Sequence, residues 1–209
     1  MTTASKSYLI PIKELLPAEI SRIRNEAIDK VVAMVSAELK KPAEELVVRD
    51  IRPYSDLAWC TVSTPTIFAA ALSTDTWCPT LDASDIYQAY TSVIISTSQL
   101  MADSRWVVIT GVKDFRLAEA AAVKQSINFL KINTGGNDRV IWDLSGMQCY
   151  PDAMAAISPS PVVIPQNTSY NIYIYDAQSD DGSAVSEDVV MYLVLDGFVV
   201  EPKGKVLSP

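Results

Sequence analysis

The sequence predicts a mainly β protein: an antiparallel β-sandwich preceded by one amphipathic α-helix. Three observations carry this. From residue 46 onward, short runs rich in β-branched and aromatic residues are punctuated by Pro, Gly, Asn and Asp. These runs are not separated at regular intervals by helix-spaced stretches, which argues against a parallel α/β sheet. The one sustained helical period lies near the start of the chain. With 209 residues, 49% of them apolar and 20% charged, the chain can bury a core without disulfides or metals.

The helix is predicted over 17–41. Pro17 suits a first helical position, and Glu19 places a carboxylate in the first turn. Ile20, Ile23, Ala27, Ile28, Val31, Val35 and Leu39 recur at steps of three and four, with Arg22, Asn25, Glu26, Asp29 and Glu38 on the other side. Lys40 and Lys41 follow, and Pro42 stops the helix. The helix either covers its own core or docks on a neighbouring subunit.

Strands are expected at Leu46–Ile51, Ala58–Ser63, Ser92–Thr97, Trp106–Thr110, Ile127–Asn133, Arg139–Leu144, Val162–Ile164, Tyr170–Tyr175 and Val189–Val200. Residues 64–90 read as irregular, with short helical turns at Ile67–Leu72 and Asp82–Tyr90. Gly135 and Gly136 in Asn133–Asp138 permit positive φ and signal a hairpin turn. Gly197, inside the last long run, marks a bulge or bend. The domain layout is then an N-terminal arm at 1–16, the helix at 17–41, and a sandwich at 42–209 whose last residues, 201–209, form a second arm.

Composition excludes several chemistries. With no histidine, Ser-His-Asp and Cys-His catalysis and histidine-ligated zinc are ruled out. Cys60, Cys78 and Cys149 form no CxxC pair and read as buried thiols, with a Cys60–Cys78 disulfide the alternative. No Walker A, GxGxxG or GxSxG motif occurs, and Asp176–Gly182 fails as an EF-hand loop because Ala177 falls on a ligand position. No enzyme activity, metal or cofactor is expected. No apolar run is long enough to span a bilayer. The polar start, without a signal-peptide pattern, predicts synthesis in a cytoplasm. The net charge of −8 lies entirely in residues 51–209, and 140–202 hold nine acids and no Lys or Arg. That stretch is not expected to bind nucleic acid.

The strongest pattern is the pair Pro161–Tyr175 and Val190–Pro202. A short strand ends in Ile164-Pro165 and leads through a turn to an alternating strand. The final strand is interrupted by Asp196-Gly197 and closed by proline. This resembles the closing strands of jelly-roll capsid proteins of tailless icosahedral viruses, over roughly a quarter of the chain. The resemblance implies a virion structural protein, assembled in a host cytoplasm from copies of itself and other virion proteins. The anchors expected for its arms are Tyr8, Leu9, Ile10 and Ile12 at one end and Val206 and Leu207 at the other. The alternative is a β-sandwich binding module of the adhesin or carbohydrate-binding type.

Overall fold

The computed structural model describes residues 8–52, 56–57, 80–81, 92–117, 127–144, 155–176 and 189–205. The described chain is mainly antiparallel β, with two sheets and one helix near the N-terminus. The strands are β1 (Ile10–Pro11), β2 (Leu46–Asp50), β3 (Thr80–Leu81), β4 (Ser92–Leu100), β5 (Trp106–Leu117), β6 (Ile127–Thr134), β7 (Asn137–Asp143), β8 (Ala156–Ile164), β9 (Ser169–Asp176) and β10 (Val189–Pro202). The helix α1 spans Pro17–Leu39. The first sheet runs β1-β8-β5-β10-β2, with β3 beside the other end of β10; the second runs β4-β9-β6-β7.

Helix α1 starts where Glu19 Oε2 accepts the Leu16 N–H at 2.9 Å, which satisfies a donor the helix cannot use. It ends two residues earlier than the sequence predicts. Lys40 adopts the left-handed region at φ 54°, and Pro42 bars Lys41 from helical backbone. Ser36 closes the end: its carbonyl accepts Lys41 N–H at 3.1 Å, and its hydroxyl donates to Lys41 O at 2.6 Å.

The buried seam of α1, Ala27, Val31 and Val35, packs on Leu46, Trp106, Val108, Phe198 and Val200 from β2, β5 and β10. The helix therefore covers the core of its own subunit. Alternation along the strands puts Val107, Ile109 and Val199 on the opposite face, and these are also fully buried. Where β5 and β10 pair through Trp106–Ile109 and Phe198–Val200, both faces of the sheet are dry, so these strands read as continuous apolar runs. The second sheet buries one face: Leu130, Ile132, Val140, Trp142, Tyr170 and Ile172. On its other face Arg139, Ile141 and Asp143 are exposed. No helix among the described residues is long and apolar enough to cross a membrane.

Two glycines break the register of neighbouring strands. Pairing between β5 and β10 shifts at Val194/Leu195 and at Asp196/Gly197, and that between β5 and β8 shifts at Ile109/Gly111. A Cβ on Gly197 would lie 2.0 Å from the Val108 carbonyl oxygen, and one on Gly111 2.1 Å from that of Ala156. Only a residue without a side chain permits these approaches. Opposite the second shift, β8 accommodates Pro159 and Pro161 between its paired residues Ile157 and Val162, because a bulge requires no ladder donor there.

Candidate functional site

The most concentrated chemistry is a cluster of four charges at one end of the first sheet. Arg49 of β2 grips Asp56 with both terminal nitrogens, at 2.8 and 2.7 Å, and its Nε donates to Glu201 at 2.9 Å. Arg105, just before β5, donates from Nε to the other Glu201 oxygen at 3.0 Å and lies 3.4 Å from Asp56. The Arg52 backbone N–H also donates to Asp56, at 2.8 Å. Both carboxylate side chains are only 2% exposed, while the two guanidinium side chains reach solvent at 24% and 26%. Two cations and two anions cancel, so the cluster adds no net buried charge. The Arg49 guanidinium is held further above its ordinary range by its hydrogen bonds to Asp56, with burial opposing and Glu201 assisting. The arrangement ties β2, the turn after it, the start of β5 and the end of β10 together. Its carboxylate oxygens are occupied by protein donors, which marks it as a structural clamp.

A second concentration is a groove of about 460 Å³ beside α1. Its floor is the outer side of β8 (Pro159, Pro161, Val163), and Tyr8, Ile10 and Leu15 close one end. Its long wall is one side of α1, carrying Glu19, Arg22, Glu26, Lys30 and Met34. Large apolar side chains are exposed here: Tyr8 at 61% and Met34 at 41%. The groove lies between α1, which packs on β2, β5 and β10, and the outer side of β8, where Val163 packs at the edge of the helix-covered core. Burying such a surface is favourable, at ~25 cal/mol per Å² of apolar area.

A third contact holds the end of the described chain. Lys205 Nζ donates to the Asp103 carbonyl at 2.8 Å and approaches its carboxylate at 3.3 Å. Lys205, with Asn167 and Ser104, holds the Asp103 carboxyl below the usual carboxylate range. Ser104 and Asn167 both take positive φ, and the two turns they occupy are joined by the Asn167 N–H to the Met101 carbonyl at 2.9 Å. In the helix-covered core, the buried Trp106 Nε1 has no hydrogen-bond partner among the described residues.

The residues singled out from sequence fall as follows. Ile10 and Pro11 pair in the subunit's own sheet, with Ile157 and Ala156, and the Ile12 N–H donates to the Ala155 carbonyl at 2.9 Å. Proline limits this arm to an edge position. Tyr8 stands exposed at the groove mouth, and Leu9 and Ile12 are half-buried. The stretch 201–209 does not begin as an arm. Strand β10 runs through Pro202 and Glu201 is 1% exposed, because Glu201 completes the charge clamp; the chain leaves the sheet at Lys203. Gly135 and Gly136 turn between β6 and β7 at φ +58° and +77°. Val206, Leu207 and the three cysteines lie outside the described residues, as do the predicted strand 58–63 and the turns at 67–72 and 82–90.

Sequence reasoning missed the clamp. The signal was there in part: Glu201 ends a run, from 140 to 202, that contains no Lys or Arg. A carboxylate inside so apolar a strand needs a cation from elsewhere in the chain. Compared with protein-family models, curated proteins and solved structures, the chain has no significant match, so the functional reading rests on its own strand order, groove and charges.

Proposed function

We propose that this chain is a structural subunit of a self-assembling shell, a virion coat protein built on a jelly-roll sandwich. The observation that carries the reading is the nesting of its strand pairs. Setting aside the short β1 and β3, the pairs are β2·β10, β4·β9, β5·β8 and β6·β7, all antiparallel. They nest around the Gly135–Gly136 turn like a ribbon doubled at its midpoint. Rolling that ribbon brings β10 beside β5 and β9 beside β6, the two further pairings present. Eight strands in two four-stranded sheets with this winding support a jelly-roll reading. The buried faces of the two sheets, each apolar and fully covered, suit a sandwich in which they close on one another. Coat subunits use such a scaffold for rigidity and place their contacts on edges, arms and outer faces.

The partners in this reading are copies of the same chain and other virion proteins, with the acidic stretch 140–202 turned away from the genome. Size-exclusion chromatography with light scattering, followed by electron microscopy of the purified protein, tests it. Large symmetric particles or their closed-ring intermediates are the expected result. A monomer at every concentration, alone and with its co-expressed partners, overturns it in favour of a binding module.

A further inference from the structure

We infer that the groove beside α1 is a two-fold docking surface for a second copy of this chain, with the two α1 helices running antiparallel. The inference deepens the shell-subunit reading by naming one of its contacts. The argument is the order of groups along the groove wall. From the N-terminal end these are Leu15, then Glu19, Arg22, Glu26, Lys30 and finally Met34. The order is apolar, negative, positive, negative, positive, apolar. Turned end for end about an axis beside residues 24–25, it meets itself with every charge opposed. Glu19 faces Lys30 of the second copy, Arg22 faces Glu26, and Leu15 faces Met34. An isologous interface requires this kind of self-complementarity, and a parallel pairing would set like charges against each other.

Arg22, Glu26 and Lys30 are exposed enough for such pairing, while Glu19 is half-buried and one of its carboxylate oxygens accepts the Leu16 N–H. Arg22 and Glu26 bond each other at 2.9 Å within one helix, yet their side chains remain 62% and 52% exposed. Lys30 is exposed as well. Beneath this row the groove supplies apolar surface from Ile23, Pro159, Pro161 and Val163. Charges at the rim then set partner and register, and the apolar floor supplies the affinity.

The experiment uses the full chain. One variant, Arg22→Glu with Lys30→Glu, makes the row wholly acidic. The other, Glu19→Gln with Glu26→Lys, makes it basic and keeps a side chain able to cap Leu16. Sedimentation velocity over a wide concentration range should show each variant self-associating about tenfold more weakly than the parent, and an equimolar mixture recovering the parent's association. Circular dichroism melts check that both variants fold. In parallel, a zero-length carbodiimide cross-linker is applied to mixed heavy- and light-isotope parent protein. Glu19 and Lys30 of one helix are ~16 Å apart along its axis, beyond such a reagent, so a heavy–light Glu19–Lys30 link reports the antiparallel pair. Folded variants that associate as the parent does, or a parent that associates without that link, overturn this inference and leave the shell-subunit reading standing. A parent that does not associate at all overturns both.

Discussion

Replacing Gly197 by alanine adds a single methyl group where the backbone of β10 packs directly on that of β5. That carbon would sit 2.0 Å from the Val108 carbonyl oxygen and 3.1 Å from Ile109 Cα. Both obstacles are backbone, so no side chain can rotate away, and the strands must part by more than an ångström. Overpacking of this kind costs about 1–3 kcal/mol. The displacement also strains the bond from the Ile51 N–H to the Gly197 carbonyl, 3.1 Å long, and a lost backbone hydrogen bond adds about 1 kcal/mol. The sum, roughly 3 kcal/mol, corresponds to a fall in melting temperature of about 6–12 °C for a chain of this size. Gly204→Ala is the control, because nothing lies within 4 Å of its added carbon. Thermal melts followed by circular dichroism compare the two. A Gly197→Ala protein that melts with the parent refutes the close approach; Gly197→Val should melt lower still.

Glu201→Gln removes one of two buried carboxylates and leaves Arg49 and Arg105 sharing Asp56. Since both guanidiniums are partly solvated, the expected loss is about 2 kcal/mol, read as a lower urea midpoint at unchanged slope. Adding Arg105→Gln restores neutrality and should recover part of it; strict additivity of the two changes would argue against a coupled cluster. Gly136→Val meets no atom within 4 Å but forces a β-branched residue to φ +77°, a strain of about 1–2 kcal/mol, whereas Gly136→Asn should lose less. The depressed Asp103 carboxyl makes its contact with Lys205 stabilising above the ordinary carboxylate range, and the contact is lost as pH falls through the lower, folded value. Titration by NMR should find Asp103 below an ordinary carboxylate, and Lys205→Ala should move it back up; an unchanged Asp103 would show that Lys205 is not the cause.

What could be read from sequence was what repeats locally. The spacing of Ala27, Val31 and Val35 placed the helix within two residues at its end, and the β-branched runs located most strands. The sequence predicts only Val162–Ile164 of β8, whereas the strand begins at Ala156 and holds Pro159 and Pro161 in a bulge opposite Gly111. It predicts β5 only to Thr110, yet the chain bulges at Gly111 and continues to Leu117. The charge clamp joins residues as far apart as Arg49 and Glu201, and no periodicity reports a contact of that range. The groove was invisible for another reason: it depends on which strands α1 covers, and an amphipathic pattern gives a face without saying what lies beneath it.

The place of β10 governs the order in which this protein can fold. It is made after every other described strand, yet it lies between β5 and β2 in the first sheet. Until it arrives those two strands have no common neighbour, and the platform under α1 lacks Phe198 and Val200. Helix α1 therefore emerges long before β10, an amphipathic segment with an incomplete surface to rest on. Contacts closed over such chain separations form late and slowly. The chain therefore completes its first sheet only after synthesis of β10, with open strand edges exposed to neighbouring nascent chains until then. Substitutions in the clamp should accordingly accelerate unfolding more than they slow folding.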